Sequence, residues 1–92
     1  MAKESSLPTS RQMVEPLVQV LAELGREAHV RELEEMVARR LGLTPDQLSE
    51  AHDKSRTEFQ YRLAWARTYA KRDGRATSAA RNRWQISHGT RA

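Results

Sequence analysis

The residue types able to do chemistry fall unevenly along this chain. Lys54, Arg56, Arg67, Lys71, Arg81 and Arg83 crowd into one stretch, interleaved with the short polar or apolar side chains of Ser55, Thr57, Gln60, Tyr61, Ala64 and Asn82. Cations displace the counterions condensed on a polyphosphate, and small hydrogen-bonding or methyl-bearing groups discriminate base edges. The mixture therefore fits double-stranded DNA better than a small-molecule substrate. Residues 53–92 hold 10 lysines and arginines against 3 acids, net +7, whereas residues 1–52 hold 6 against 9, net −3. An excess gathered in one stretch is a footprint for a polyanion rather than general solubilising charge.

Catalytic chemistry finds no comparable foothold. His29, His52 and His88 lie on different segments without metal-ligand spacing, and the absence of cysteine removes thiolate metal sites and disulfides. There is no glycine-rich phosphate loop or nucleophile elbow, and the adjacent Glu34 and Glu35 diverge on a helix. The expectation is a chain without a catalytic centre, metal or small-molecule cofactor. No apolar run approaches the ~20 residues that span a bilayer, and residues 1–10 lack the apolar core of a signal peptide, so no membrane contact and a cytoplasmic address are expected.

The elements that must position these groups can be read from hydrophobic period. Met13, Leu17, Val20, Leu21 and Leu24 recur at helical spacing before Gly25, with Thr9 and Gln12, or Ser10 alone, as start signals. Pro16 implies either a start near Met13 or a kinked entry. After an extended link at residues 27–29, Val30, Leu33, Val37 and Leu41 form a second helix closed by Gly42. Thr44, Pro45 and Gln47 start a turn or two more, followed by a loop over residues 50–55. A third long helix covers about residues 57–73. Phe59, Leu63, Ala66 and Ala70 form its inner stripe and Tyr61, Ala64, Thr68 and Lys71 its far side; Gln60 and Arg67 lie at one margin and Trp65 at the other. After Gly74 the period drops to two: a weak strand at residues 76–78, a turn at 79–82 and a strand at 83–87 with Trp84 and Ile86 facing inward. Three helices followed by a basic hairpin give the expected fold, mainly α with a small antiparallel β-hairpin, a winged helix-turn-helix. Its domain spans residues 11–89, between a flexible tail at 1–10 and a tail or linker start at 90–92.

The segments Val14-Glu15-Pro16-Leu17, Phe59-x-x-Arg62-Leu63-x-Trp65-Ala66-x-Thr68-Tyr69-x-Lys71 and Arg83-Trp84-x-Ile86-Ser87 together resemble the N-terminal winged-helix domain of Mrr-type restriction endonucleases. The resemblance spans roughly residues 13–89, and its third-helix block is the most specific part. It implies a bacterial DNA-targeting module, normally fused to a C-terminal nuclease domain that cleaves modified DNA; the acids and lysine of such a nuclease are absent from these residues. Family members usually carry two aliphatic residues and a proline-containing basic wing after the glycine. Here Arg75-Ala76-Thr77-Ser78-Ala79-Ala80 makes that strand polar and alanine-rich.

Helical geometry assigns the working groups. Lys54, Arg56, Arg67 and Lys71 would hold phosphates along the third helix, with Arg81, Asn82 and Arg83 reaching from the wing. Backbone N–H groups at the helix start would add another phosphate site. Ser55, Thr57, Gln60, Tyr61 and Ala64 would enter the major groove, where Gln60 suits an adenine edge and Tyr61 or Ala64 a methyl group. Each has a plainer reading: Gln60 and Tyr61 as ordinary surface, Arg72 and Arg75 as helix-end charges, Arg62 as a packed stem bound to Glu58, Trp84 as core, and Trp65 as either a packed flank or an exposed platform. Two other functions remain open, a stand-alone transcription regulator and a protein-interaction winged helix.

Overall fold

The structure, a computed structural model, describes residues 6–87. In chain order these form α1 (Ser10–Leu24), β1 (Ala28–His29), α2 (Val30–Leu41), α3 (Pro45–Ser49), α4 (Glu58–Arg72), β2 (Ala76–Ala80) and β3 (Arg83–Ile86). A mainly helical body carrying a small three-stranded antiparallel sheet is the winged helix-turn-helix arrangement, with α4 entering the hairpin β2–β3. No helix among the described residues is long and apolar enough to cross a membrane.

Three of the helices begin with the same device. Thr9, Thr44 and Thr57 each accept a hydrogen bond from the backbone N–H three residues on, while Gln12, Gln47 and Gln60 reach back to the threonine N–H. Such reciprocal boxes satisfy two otherwise orphaned donors at each helix start. Gly25 and Gly42 end α1 and α2 in the left-handed region, at φ 64° and 67°, where a side chain would be strained. The Thr9 box places the start of α1 at Ser10, ahead of the alternative start near Met13, so Pro16 sits inside the helix. The helical donor it removes faces the carbonyl of Gln12, an exposed residue, so no buried acceptor is orphaned.

The core lies where α1 crosses α4. Met13, Leu17, Val20 and Leu21 of α1 meet Phe59, Leu63, Ala66 and Ala70 of α4, with Leu33 and Val37 of α2 completing the enclosure. Burying one such Leu or Phe contributes about 1.5–3 kcal/mol, so this stripe fixes which side of α4 is left outside.

Two expectations change. The link at residues 27–29 contains β1, which pairs with β3 through Ala28 opposite Trp84 and His29 opposite Arg83, giving the order β1-β3-β2. A two-residue strand has no readable period, because alternation needs more positions to show. The first wing strand runs on to Ala80 through an irregularity between Ser78 and Ala80, and the turn shortens to Arg81 and Asn82. Asn82 takes a left-handed φ of 60° there, a conformation asparagine tolerates in tight turns. Only Ala76 of β2 is buried, as its alanine-rich composition implied.

The segment expected to be a flexible tail is docked in the part described. Leu7 is buried, Arg62 Nη1 donates to the carbonyls of Leu7 and Pro8 at 3.1 Å each, and Gln47 Nε2 donates to the Ser6 carbonyl and hydroxyl at 3.3 and 3.2 Å. One isolated apolar residue in a polar stretch carries no periodic signal, so the burial of Leu7 leaves no trace in the sequence. Tail residues 1–5 and 90–92, together with His88, lie outside the described residues.

Candidate nucleic-acid interface

Because α4 turns its inner stripe to α1, its outward face is set by the helical repeat of about 100° per residue. Tyr61, Ala64, Trp65, Thr68 and Arg72 follow one another along it, and with Arg56 they line an open groove of about 450 Å³. Trp65 is the one large apolar side chain exposed among the described residues, at 41%.

Just before α4, the loop is built rather than slack. The Asp53 carboxylate accepts from the Ser55 N–H at 2.8 Å, the Ser55 hydroxyl at 3.0 Å and the Arg56 N–H at 3.1 Å. Those bonds, the Ser55 amide foremost, hold the Asp53 pKa below its ordinary value. Across the loop, Ala51 and Thr57 form an antiparallel bridge. Lys54 stands exposed on this loop, and Arg56 makes only a loose 3.9 Å ion pair with Asp53.

The loop also brings His52 against Tyr61. Its ring stacks on Tyr61 with centroids 3.8 Å apart and planes 11° from parallel, while the Arg56 guanidinium lies 5.2 Å from the Tyr61 ring. Nδ1 of His52 lies 2.9 Å from Glu58 Oε1, and Arg62 Nε donates to Glu58 Oε2 at 2.7 Å. Arg62 chiefly, then His52, keeps the Glu58 carboxyl below its ordinary pKa. At the other end, Trp65 leans on Tyr69 at 5.8 Å, and Arg11 of α1 caps the Tyr69 ring at 4.1 Å.

The expected site residues thus separate. Tyr61 and Ala64 reach the outward face, and Lys54, Ser55, Lys71, Arg81 and Asn82 are exposed beside it or at the hairpin tip. Lys54, Lys71 and Arg81 have no ion-pair partner among the described residues. Arg83 is exposed but pairs with Glu27 at 3.7 Å. Thr57 and Gln60 are bound into the cap of α4, and Gln60 Nε2 also turns to Glu34 of α2 at 3.4 Å. Arg67 points the same way: its guanidinium carbon lies 5.9 Å from the Trp84 ring, and Nε and Nη1 are buried without a hydrogen-bond partner. Burial lowers its pKa, opposed by the charge of Glu34.

Three of the backbone N–H groups around the expected phosphate site at the start of α4 are engaged within the protein. The Thr57 N–H goes to Gln60, the Glu58 N–H to the Glu50 carbonyl at 2.7 Å, and the Gln60 N–H to the Thr57 hydroxyl. Conversely, Trp65, Thr68 and Arg72 line the outward groove and His52 stacks on its Tyr61, and none of the four is among the expected contacts. The exposed alternative for Trp65 and the far-side phase of Thr68 were visible in the sequence; the approach of His52 was not, because it depends on the Asp53 turn.

No group of three or more metal-ligating side chains is gathered among the described residues. Comparison with known proteins places this architecture. Residues 11–92 match the family model described as the Mrr N-terminal domain. The chain belongs to that family. A curated relative, the type IV methyl-directed restriction enzyme EcoKMrr of Escherichia coli (strain K12), is 29% identical over 82 residues, covering 89% of this chain and 27% of the relative. The chain therefore spans about a quarter of that enzyme's length. No solved structure matches significantly. In this Mrr N-terminal domain, the third-helix block that carries the resemblance contains the core stripe of α4 and four of the groove residues, Tyr61, Ala64, Trp65 and Thr68.

Proposed function

We propose that this Mrr N-terminal domain binds double-stranded DNA and serves as the target-recognition part of a modification-dependent restriction system, with cleavage supplied by a nuclease domain elsewhere. The observation that carries this reading is the outward side of α4. It has a groove lined by aromatic, small and cationic side chains with no carboxylate among them, and Lys54 and Lys71 stand exposed near its two ends. Anionic backbone is attracted there, and the helix presents a face that fits a major groove about 12 Å wide. Lys54, Arg56, Lys71 and Arg81 hold phosphates in this reading, with Asn82 and Arg83 adding contacts from the wing. Tyr61 and Ala64 meet base edges or methyl groups, Ser55 stays near the backbone, and Thr57, Gln60 and Arg67 hold the helix in place. Family membership and the methyl-directed enzyme of Escherichia coli support the same direction.

The test is fluorescence anisotropy with short duplexes, unmodified or methylated at adenine or at either cytosine position, at two salt concentrations. The expected result is binding whose logarithm falls linearly with log salt, by about 0.9 for each phosphate held, and which strengthens with one methylated duplex. Absence of binding to every duplex at low ionic strength overturns the reading.

A further inference from the structure

We propose that the groove on α4 holds a single nucleobase displaced from the stack of a DNA duplex, with Trp65 as its stacking platform. This rests on the DNA-binding reading above and names what the groove itself takes. A helix that reads intact base pairs offers hydrogen-bonding side chains to their edges, typically arginine, asparagine or glutamine. Here Gln60 is turned away into the cap and towards Glu34, and the two arginines of the groove, Arg56 and Arg72, come from just before α4 and from its last residue rather than from its middle. The outward face instead offers an exposed indole, the phenol of Tyr61, and a floor of Ala64 and Thr68. Aromatic surface of this kind binds the π-face of a base, which is accessible only once the base has left its stack.

Three further observations favour a whole base over a methyl group. The groove volume of about 450 Å³ lies in the range that accepts entire small ligands, whereas a methyl group fills little more than one water, ~30 Å³. The aromatic side chains are braced from outside: His52 stacks on Tyr61, itself fixed through Glu58 and Arg62, and Tyr69 under its Arg11 cap supports Trp65. A cleft held in this way loses little side-chain freedom on binding. The floor is small, and the Thr68 hydroxyl spends its donor on the Ala64 carbonyl at 3.2 Å. Arg56 and Arg72 lie at either end to meet the flanking phosphates. A duplex is favoured over a free strand because Arg81, exposed in the hairpin turn rather than on α4, offers a further cation to a second backbone.

The experiment compares, by anisotropy, a perfect duplex, the same duplex with one bulged 2-aminopurine, and the equivalent single strand. The bulged duplex should bind about tenfold more tightly than the perfect one, with a change in 2-aminopurine fluorescence on binding. Trp65→Ala should abolish that preference while leaving the salt slope unchanged, and Trp65→Phe should keep part of it. As Trp65 is exposed, circular dichroism of both variants should match the parent. Equal affinity for bulged and perfect duplexes with a normal salt slope overturns the base site alone. Tightest binding to the single strand overturns the assignment to a duplex. Absence of binding to all three overturns the DNA reading beneath it.

Discussion

The two sides of α4 are made from similar residue types and put them to opposite use. On the side towards α2 and the sheet, Gln60 and Arg67 spend their polar atoms inward, one on a helix cap and the other beside Trp84. On the outward side, Tyr61, Trp65, Thr68 and Arg72 line an open groove. A step of three or four positions along one helix thus separates residues that hold the fold from residues free to meet a partner. The difference teaches that positive charge is a poor guide to contact unless its helical phase is settled first.

The comparison breaks or sharpens under substitution. The largest effect is expected outside: Lys54→Ala, Lys71→Ala and Arg81→Ala combined should weaken duplex binding by more than tenfold at low salt. The log–log salt slope should become shallower by about 0.9 per lysine or arginine removed, with little change in melting temperature. Binding that survives this triple change would move the interface off the outward side. Next comes the anchor of the N-terminal segment. Arg62→Ala removes a bond to a carboxylate and two to backbone carbonyls, so denaturant melts should show a loss of about 2 kcal/mol. Gln60→Ala should cost about 1 kcal/mol in the same melts by weakening the cap, while leaving duplex affinity within a factor of two. A large affinity loss with no stability loss would return Gln60 to the groove.

Smaller still is Arg67→Met. The charge it deletes has two buried nitrogens without partners, so stability should stay level or rise by up to about 1 kcal/mol and the salt slope should not change. The pH response is the mildest. The Glu58 carboxyl is lowered in the folded state, so its contribution is present above the unfolded value near 4.5 and fades as pH falls through the lower folded value. Melts of Glu58→Gln against the parent should show a smaller loss below pH 4.5 for the variant, although Arg62 loses its partner at every pH.

Legibility in the sequence followed the strength of period. The stripe Phe59, Leu63, Ala66 and Ala70 repeats over about three turns, so α4, its inner side and the marginal placing of Gln60, Arg67 and Trp65 could all be read. Thr44-Pro45-Asp46-Gln47 declared α3 through local chemistry alone. What stayed hidden depends on distant partners: β1 exists because Trp84 and Arg83 lie beside it, and Leu7 is buried because it joins the distant core cluster, with Arg62 holding its carbonyl. The cap at Thr57 went unread for a different reason, since both of its residues also suited DNA contact. Similarly, Arg67 is spaced correctly for a phosphate contact, and only the position of the sheet shows that it turns inward.

The hairpin turn has one further implication. The Asn82 carbonyl accepts from the Val30 N–H at 2.9 Å, so the tip of the wing is fastened to the first residue of α2. An arm secured at its end resists pivoting to follow a curving surface. A duplex lying against both α4 and this tip would then take up more of the adjustment itself, and pliant and stiff base steps would differ in the energy that costs. In that arrangement selectivity extends to positions that no side chain touches.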